Sequence, residues 1–316
     1  MVKKVIIDSL QSSQIGSIVT RQNYEGPYKL EDVVKRVIEN ENYKIVFDTT
    51  CVENTYKFKF GRLEKSCDRP SLSDLVKITN KKSIKKLVSN CNTSFVIPNT
   101  YLLEDIQNLD TPIIIKGTYN TWGVHSYKVI NRSLFDIGRF EKLLKYGSCK
   151  EPTYYDVEKY LEEVERLGLE LLIPSSYTKL CIDHCNITAK DYFLEDYLPN
   201  ITTYRVLILE DIFIQKDRNT FDIENGEYQN IELLANTKLF SEEIRRKLYA
   251  SVVKVKPLLN GRWSSLDFSI TINGDIVFHE FGIGFCTLYY TDETYNIFEE
   301  QLLQHVQQYD YMYGIE

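Results

Sequence analysis

Trp263-Ser264-Ser265-Leu266-Asp267-Phe268-Ser269-Ile270-Thr271-Ile272-Asn273-Gly274-Asp275-Ile276-Val277-Phe278-His279-Glu280 holds the two acids on which the reading of this chain turns. Asn273-Gly274 lies between two apolar, β-branched runs, a strong short-range signal for a hairpin. A two-residue turn there sets Ile272 against Asp275, and counting outward sets Asp267 against Glu280. Directly opposed residues carry Cβ atoms roughly 4.5–5.5 Å apart, and like charges so placed repel. Either both acids lie on a solvated face, where the repulsion is weak, or a cation sits between them. A hard divalent ion is the natural cation. A register slip of one residue parts the two acids.

The remaining composition is that of an ordinary globular protein. The chain has 316 residues, enough for one large domain or two to three smaller ones, and 43% of them are hydrophobic. Mean hydropathy is −0.30. No apolar run approaches the length that crosses a bilayer, so no membrane partner is expected. Met1-Val-Lys-Lys-Val-Ile-Ile-Asp8 becomes charged again too soon for a signal peptide and reads as a first strand. Seven scattered cysteines then read as reduced thiols of a cytoplasmic protein. Cys181-x-x-His184-Cys185 is the one ligand-like cluster, but no second zinc knuckle accompanies it. A net charge of −7 argues against nucleic acid as a partner. Lys77 to Lys86 is the one basic patch, read either as a solvated helix start or as an anion contact.

Strand-like and helical runs alternate without an internal repeat. Strands are expected at 5–8, 44–48, before Pro98, at 111–116, 124–130, 169–173, 192–198 and along 203–215. Helices are expected at 30–40, 83–89, 133–146, 153–167, 242–259 and 292–309. Hairpins mixed with crossover helices indicate an α+β fold with mixed sheets. The pattern restarts near residue 78, which suggests a boundary there.

Three further features carry charge into apolar surroundings. Lys116 ends the strand Thr111-Pro-Ile-Ile-Ile-Lys116 and precedes Gly117-Thr-Tyr119-Asn-Thr-Trp122-Gly123. It reaches either solvent or a phosphate held by point charge and loop N–H groups. Arg205 begins a long apolar hairpin, and Lys216 and Arg218 end it. These form either structural salt bridges or a clamp for carboxylate or phosphoryl oxygens.

Taken in order, these motifs resemble the ATP-grasp superfamily, with the motif order of D-alanine–D-alanine ligase-like members. The order runs Asn80-Lys81, the Pro98-ended strand, Pro112-Ile-Ile-Ile-Lys116, Leu194-Glu195-Asp196-Tyr197-Leu198, Tyr204-Arg205-Val-Leu-Ile208, Leu266-Asp267-Phe268 and Phe278-His-Glu280-Phe-Gly282. The resemblance covers about residues 79–290. Tyr204-Arg205 and the ending Glu280-Phe-Gly-Ile-Gly284 look more like the divergent clade named for two arginines and one lysine.

The resemblance implies two α+β lobes gripping ATP, preceded by a small α/β pre-grasp domain. Residues 1–78 would form the pre-grasp domain. Residues 79–316 would form the ATP-grasp domain, with a nucleotide-binding lobe at about 79–200 and a catalytic lobe at about 201–316. It further implies ATP and Mg2+ as cofactors. Lys81 and Lys116 match the lysines that hold phosphates, Glu195, Asp196, Tyr197 and Leu198 the hinge beside adenine, and Asp267 and Glu280 the Mg2+ ligands. Arg205 and Lys216 are the catalytic candidates. The implied reaction activates a small-molecule or peptide carboxylate as an acyl phosphate for attack by an amine or similar nucleophile. Tyr289, Tyr290 and His125 are candidates for lining the cleft, and 117–123 and 217–229 for covering it.

The chain departs from the family at informative places. Gly282 stands where an asparagine ligand is common, Thr203 where a ribose-binding acid is expected, and Ser265 where an arginine is frequent. Tyr119 and Trp122 make the phosphate loop bulky. The alternative to a ligase is therefore a relative that binds a nucleotide or a partner with weakened catalysis.

Overall fold

The computed structural model describes residues 3–7, 43–45, 55–59, 62–65, 77–78, 80–118, 126–146, 157–172, 189–198, 201–216, 230–283 and single positions between 293 and 305. The expected helix at 30–40, the Cys181–Cys185 cluster, Tyr119, Trp122, His125, Arg218, Tyr289, Tyr290 and the segments 119–123 and 217–229 lie outside the described residues.

Three sheets organise what is described. The first is β2-β1-β3-β4, from β1 (Lys3–Ile7), β2 (Tyr43–Ile45), β3 (Thr55–Lys59) and β4 (Arg62–Lys65), with β1 parallel to both neighbours. The second is β6-β10-β7-β8-β9, wholly antiparallel. Its strands are β6 (Thr100–Tyr101), β7 (Ile113–Gly117), β8 (Tyr127–Val129), β9 (Leu169–Leu171) and β10 (Tyr192–Asp196). The third is β13-β12-β11-β14-β15-β5, from β5 (Phe95–Val96), β11 (Thr202–Ile208), β12 (Ile212–Gln215), β13 (Ile231–Leu233), β14 (Ser264–Ile270) and β15 (Ile276–Ile283). β5 joins it by parallel pairing with β15. A strand expected near Pro98 thus belongs to a sheet formed mostly by the far end of the chain.

Among the described residues four α-helices pack on the two larger sheets: α1 (Lys81–Ser89), α2 (Ile137–Tyr146), α3 (Val157–Arg166) and α4 (Glu242–Val255). α1 starts where Asn80 caps the Ser83 N–H at 2.9 Å. α4 starts at Ser241, with Glu242 and Glu243 in its first turn, where acids suit the helix dipole. Its buried residues Leu248, Ser251, Val252 and Val255 follow the one-face spacing of an amphipathic helix. α1 and α4 share one core with the six-stranded sheet, including Ile84, Val88, Phe95, Val206, Leu266 and Phe278. α2 and α3 share a second core with the five-stranded sheet, including Ile113, Ile115, Tyr127, Phe140, Tyr160 and Leu194.

The decisive hairpin forms by a route different from the expected one. Ile270 pairs with Ile276, and the Thr271 N–H donates to the Asp275 carbonyl at 3.0 Å. That leaves a three-residue tip, Ile272–Gly274, with Gly274 left-handed at φ 82°. The tip displaces the register by one residue from a two-residue turn. The strands then shift between Asp267 and Phe268: Phe268 faces Phe278, while Asp267 faces Glu280. His279 is the extra residue of a β-bulge, and it restores the expected pairing.

Phe278 is fully buried against Phe95 and Phe281, at centroid distances of 5.7 and 5.3 Å. Phe278→Ala should cost about 3–5 kcal/mol of stability, measured by urea unfolding.

Candidate functional site

The functional side chains lie on the faces of the two larger sheets that turn away from the two cores. In β11, Val206 and Ile208 enter the core, so Arg205 points the other way. Arg205 is opposite Asp267, and Asp267 is opposite Glu280, so the three form one row across adjacent strands. Without the bulge, Glu280 would alternate onto the core face beside Leu266. In β7, Ile113 and Ile115 enter the second core, which leaves Lys116 on the outer face. Glu195 of β10 shares that face, because Glu195 pairs with Ile114 and Phe193 with Lys116.

α1 connects the two faces. Its buried stripe is Lys81, Ile84, Lys85 and Val88, with two lysines at apolar positions. Lys81 Nζ lies 2.7 Å from Glu280 Oε2, and Lys85 contacts Glu195 Oε2 directly. Lys116 Nζ lies 2.6 Å from Glu195 Oε1. Arg205 holds Asp267 with two parallel hydrogen bonds, Nε to Oδ1 at 2.7 Å and a terminal guanidinium nitrogen to Oδ2 at 2.8 Å. The Lys81 N–H also donates to the Thr118 carbonyl at 3.0 Å, tying the start of α1 to the end of β7.

The constellation therefore sets four basic side chains against three acidic ones. α1 has no acid in its first turn, so its positive N-terminal dipole adds to the basic excess. Such a place favours anions.

Burial and like charges shape the protonation of these groups. Burial, with the Lys81 ammonium beside it, pulls Lys116 down to about 8. Burial, then Lys116 and Lys81, pull Lys85 well below the lysine range, with the Glu280 carboxylate acting against them. Burial pushes the Glu280 carboxyl up, but Lys81, with Lys116 and Arg205 behind it, outweighs this and holds it low. His279 is kept neutral by burial and by Lys116, Lys85 and Lys81. Its Nε2 lies 2.6 Å from Ser269 Oγ, and Ser269 Oγ lies 3.2 Å from Thr203 Oγ1, a neutral row beside the charged one. Among the described residues His279 Nδ1 is buried without a hydrogen-bond partner.

Two expected members stand apart. Lys216 follows Ile214 by two residues, so strand alternation sends it to the core side, where it meets Glu232 at 3.5 Å. The expected Arg205–Lys216 clamp is therefore not assembled. The Asp196 carboxylate accepts from Asn99 at 2.8 Å, Tyr101 at 3.1 Å and Thr111 at 3.3 Å, and so pins the hinge rather than facing a ligand. Tyr197 donates its N–H to the Pro112 carbonyl at 2.8 Å and lies under Lys128, 5.1 Å from the ring centroid. Among the described residues the Leu198 N–H makes no hydrogen bond. At Glu195 the strand has a partner on each side, and it is the side chain that joins the site.

Lys85, His279 and Ser269 were not singled out in the sequence. Lys85 carried a readable signal, a lysine on the apolar stripe of a helix. The bulge that brings Glu280 onto the same face as His279 carried none. Gly282 faces Ser265, and a Cβ there would come 2.4 Å from Ser265 Oγ, so a larger residue at 282 requires the Ser265 hydroxyl to turn aside.

The chain folds like two solved ligases. It superposes on D-alanyl-alanine synthetase A from Vibrio cholerae with a TM-score of 0.51 and 9% identity, over 97% of this chain and 98% of that one. It superposes on VanG D-Ala:D-Ser ligase from Enterococcus faecalis with a TM-score of 0.51 and 12% identity, over 98% and 99%. The chain has the ATP-grasp fold. No family model matches it, and no curated protein matches it in sequence. At such identities the likeness carries the architecture, and function has to be argued from the site.

Lys116 offers a direct check of the electrostatics. The folded protein releases its proton at about 8, whereas the unfolded chain keeps it to the ordinary 10.5. Between those values the unfolded state binds more protons, so this group's contribution to stability rises with pH. Wild type should gain on Lys116→Met between about pH 7.5 and about pH 9.5, read by urea unfolding at both.

Proposed function

We propose that this protein is an ATP- and Mg2+-dependent ligase that joins a carboxylate to an amine or similar nucleophile. One observation carries the reading: the bulge sets Glu280 opposite Asp267 on a face met by Lys81, Lys85 and Lys116. The chain divides in this reading into a pre-grasp region, 1–78, and a grasp domain, 79–316. The finer kinship with the clade named for two arginines and one lysine rests on Arg205 and Gly282 and belongs to the same proposal.

The donor set fits a metal of one kind. Among the described residues no group of three or more His, Cys, Asp or Glu side chains is arranged to hold an ion. Two opposed carboxylates suit Mg2+ that arrives with phosphate oxygens as its other ligands. Asp267 and Glu280 would hold it, and when bound it would neutralise phosphate charge and polarise the transferred group. Lys81 and Lys116 would bind phosphate oxygens as fixed point charges. Arg205 would orient Asp267 through its paired hydrogen bonds, a positioning role in place of the substrate clamp expected from sequence. The Leu198 N–H would meet the adenine edge. Peptide or small-molecule carboxylates and amines are the substrate class, and exclusion of water from an acyl phosphate is the demand on whatever covers the cleft.

A second reading has its own support. Each carboxylate of the site already has an internal cation, and Gly282 supplies no ligand. These features also suit a protein that binds a nucleotide or a partner without turnover.

Calorimetry with ATP, with and without Mg2+, tests the metal role. Glu280→Gln should weaken the Mg2+-dependent part of binding on the order of tenfold or more. Equal affinities in both proteins and both buffers would remove Glu280 from the metal site. Phosphate release with pooled amino acids and peptides, abolished in Lys116→Ala, separates the ligase from the non-catalytic reading.

A further inference from the structure

The Lys85–Glu195–Lys116 cluster poses a problem of charge. Glu195 is 1% exposed, and its two oxygens are divided between the two lysines. Side-chain exposure is 4% for Lys85 and 17% for Lys116, so Lys116 is the member that reaches the cleft. A lysine paired one-to-one with a buried carboxylate is neutralised and attracts no outside anion. Lysine and glutamate are almost never fully buried unless paired, and burying a third charge beside a completed pair carries a further desolvation cost. Phe193, whose ring centroid is 6.0 Å from Lys85 Nζ, packs beside it with no acid of its own to offer.

We infer that Lys85 is a positioning residue that serves as the internal counter-ion of Glu195, and so leaves the charge of Lys116 for a phosphate or polyphosphate ligand. The inference rests on the phosphate-binding reading of Lys116 given above. Lys85 occupies one carboxylate oxygen and keeps Glu195 from closing on Lys116 with both. The triad then holds two basic groups for one acid, with the excess at its exposed member. Position in the helix makes this possible. Lys81 and Lys85 are one turn apart on the same stripe of α1, so the helix that sends Lys81 to Glu280 also sends Lys85 to Glu195.

Double-variant rescue distinguishes this role from simple packing. Binding of inorganic pyrophosphate and of ADP is measured by calorimetry for wild type, Lys85→Met, Glu195→Gln and the double variant, each checked for folding by thermal unfolding. Lys85→Met should weaken both ligands on the order of tenfold, since it restores a neutral Glu195–Lys116 pair. Glu195→Gln should bind pyrophosphate at least as tightly as wild type. The double variant should recover to within about threefold of wild type, because removing the acid removes the need for its counter-ion.

A double variant as weak as Lys85→Met overturns the inference, as does a Lys85→Met that binds like wild type. If Lys85→Met does not fold, Glu195→Gln decides alone: loss of pyrophosphate affinity would make Glu195 a direct support of Lys116 and refute the counter-ion role. Wild type that binds neither ligand overturns the phosphate-site reading itself, and this inference falls with it.

Discussion

Strand alternation gives a side chain only two directions, and the site depends on one residue that breaks the alternation. Near the hairpin tip the β14–β15 register would send Glu280 into the core beside Leu266. The extra residue at His279 reverses the parity, so His279 and Glu280, neighbours in sequence, both leave the core. A carboxylate in that core would have no partner and a large desolvation penalty. Turned outward, it meets Asp267 across the strand and Lys81 from the helix. Phe278 and Phe281 on either side stay inside and anchor the bulge.

The same constraint organises the charges around it. Every acid of the site touches a base from another element: Asp267 in β14 with Arg205 in β11, Glu280 in β15 with Lys81 in α1, Glu195 in β10 with Lys85 in α1 and Lys116 in β7. These ion pairs therefore join secondary structures as well as balancing charge. α1 takes part in two of them, one to each of the larger sheets. A ligand that competes for Lys81 acts on one arm of the tie that α1 makes between the sheets, which links occupancy of the cleft to its shape.

Much of this was legible in the sequence, though not always for the right reason. The Asp267–Glu280 pairing was read from a two-residue turn. The turn has three residues, and the bulge cancels the difference. Neither device leaves a distinctive residue pattern, so the correct partner emerged from two compensating errors. The positions of α1 to α4 were readable because their apolar periodicity is local. The membership of β5 in the far sheet was not, since parallel pairing between distant segments has no local signature. Lys216 departs from the clamp because strand alternation with Ile214, which a charge at the end of a hairpin does not reveal, sets its face. Lys85 is legible as a lysine on the apolar stripe of a helix.

The parallel pairing of β5 with β15 has a consequence for how this molecule is made. Among the described residues Phe95 and Val96 find their strand partners in Ile276 and Val277. Until that late segment is synthesised, α1 has neither the strand it packs on nor the acid that answers Lys81. Contacts between such distant parts of a chain are slow to form, because loop closure precedes their reward. The five-stranded sheet draws all its strands from residues 100–196 and can pair earlier. Assembly of the site is therefore a late event, and an interrupted chain leaves the lysines of α1 beside half a cleft.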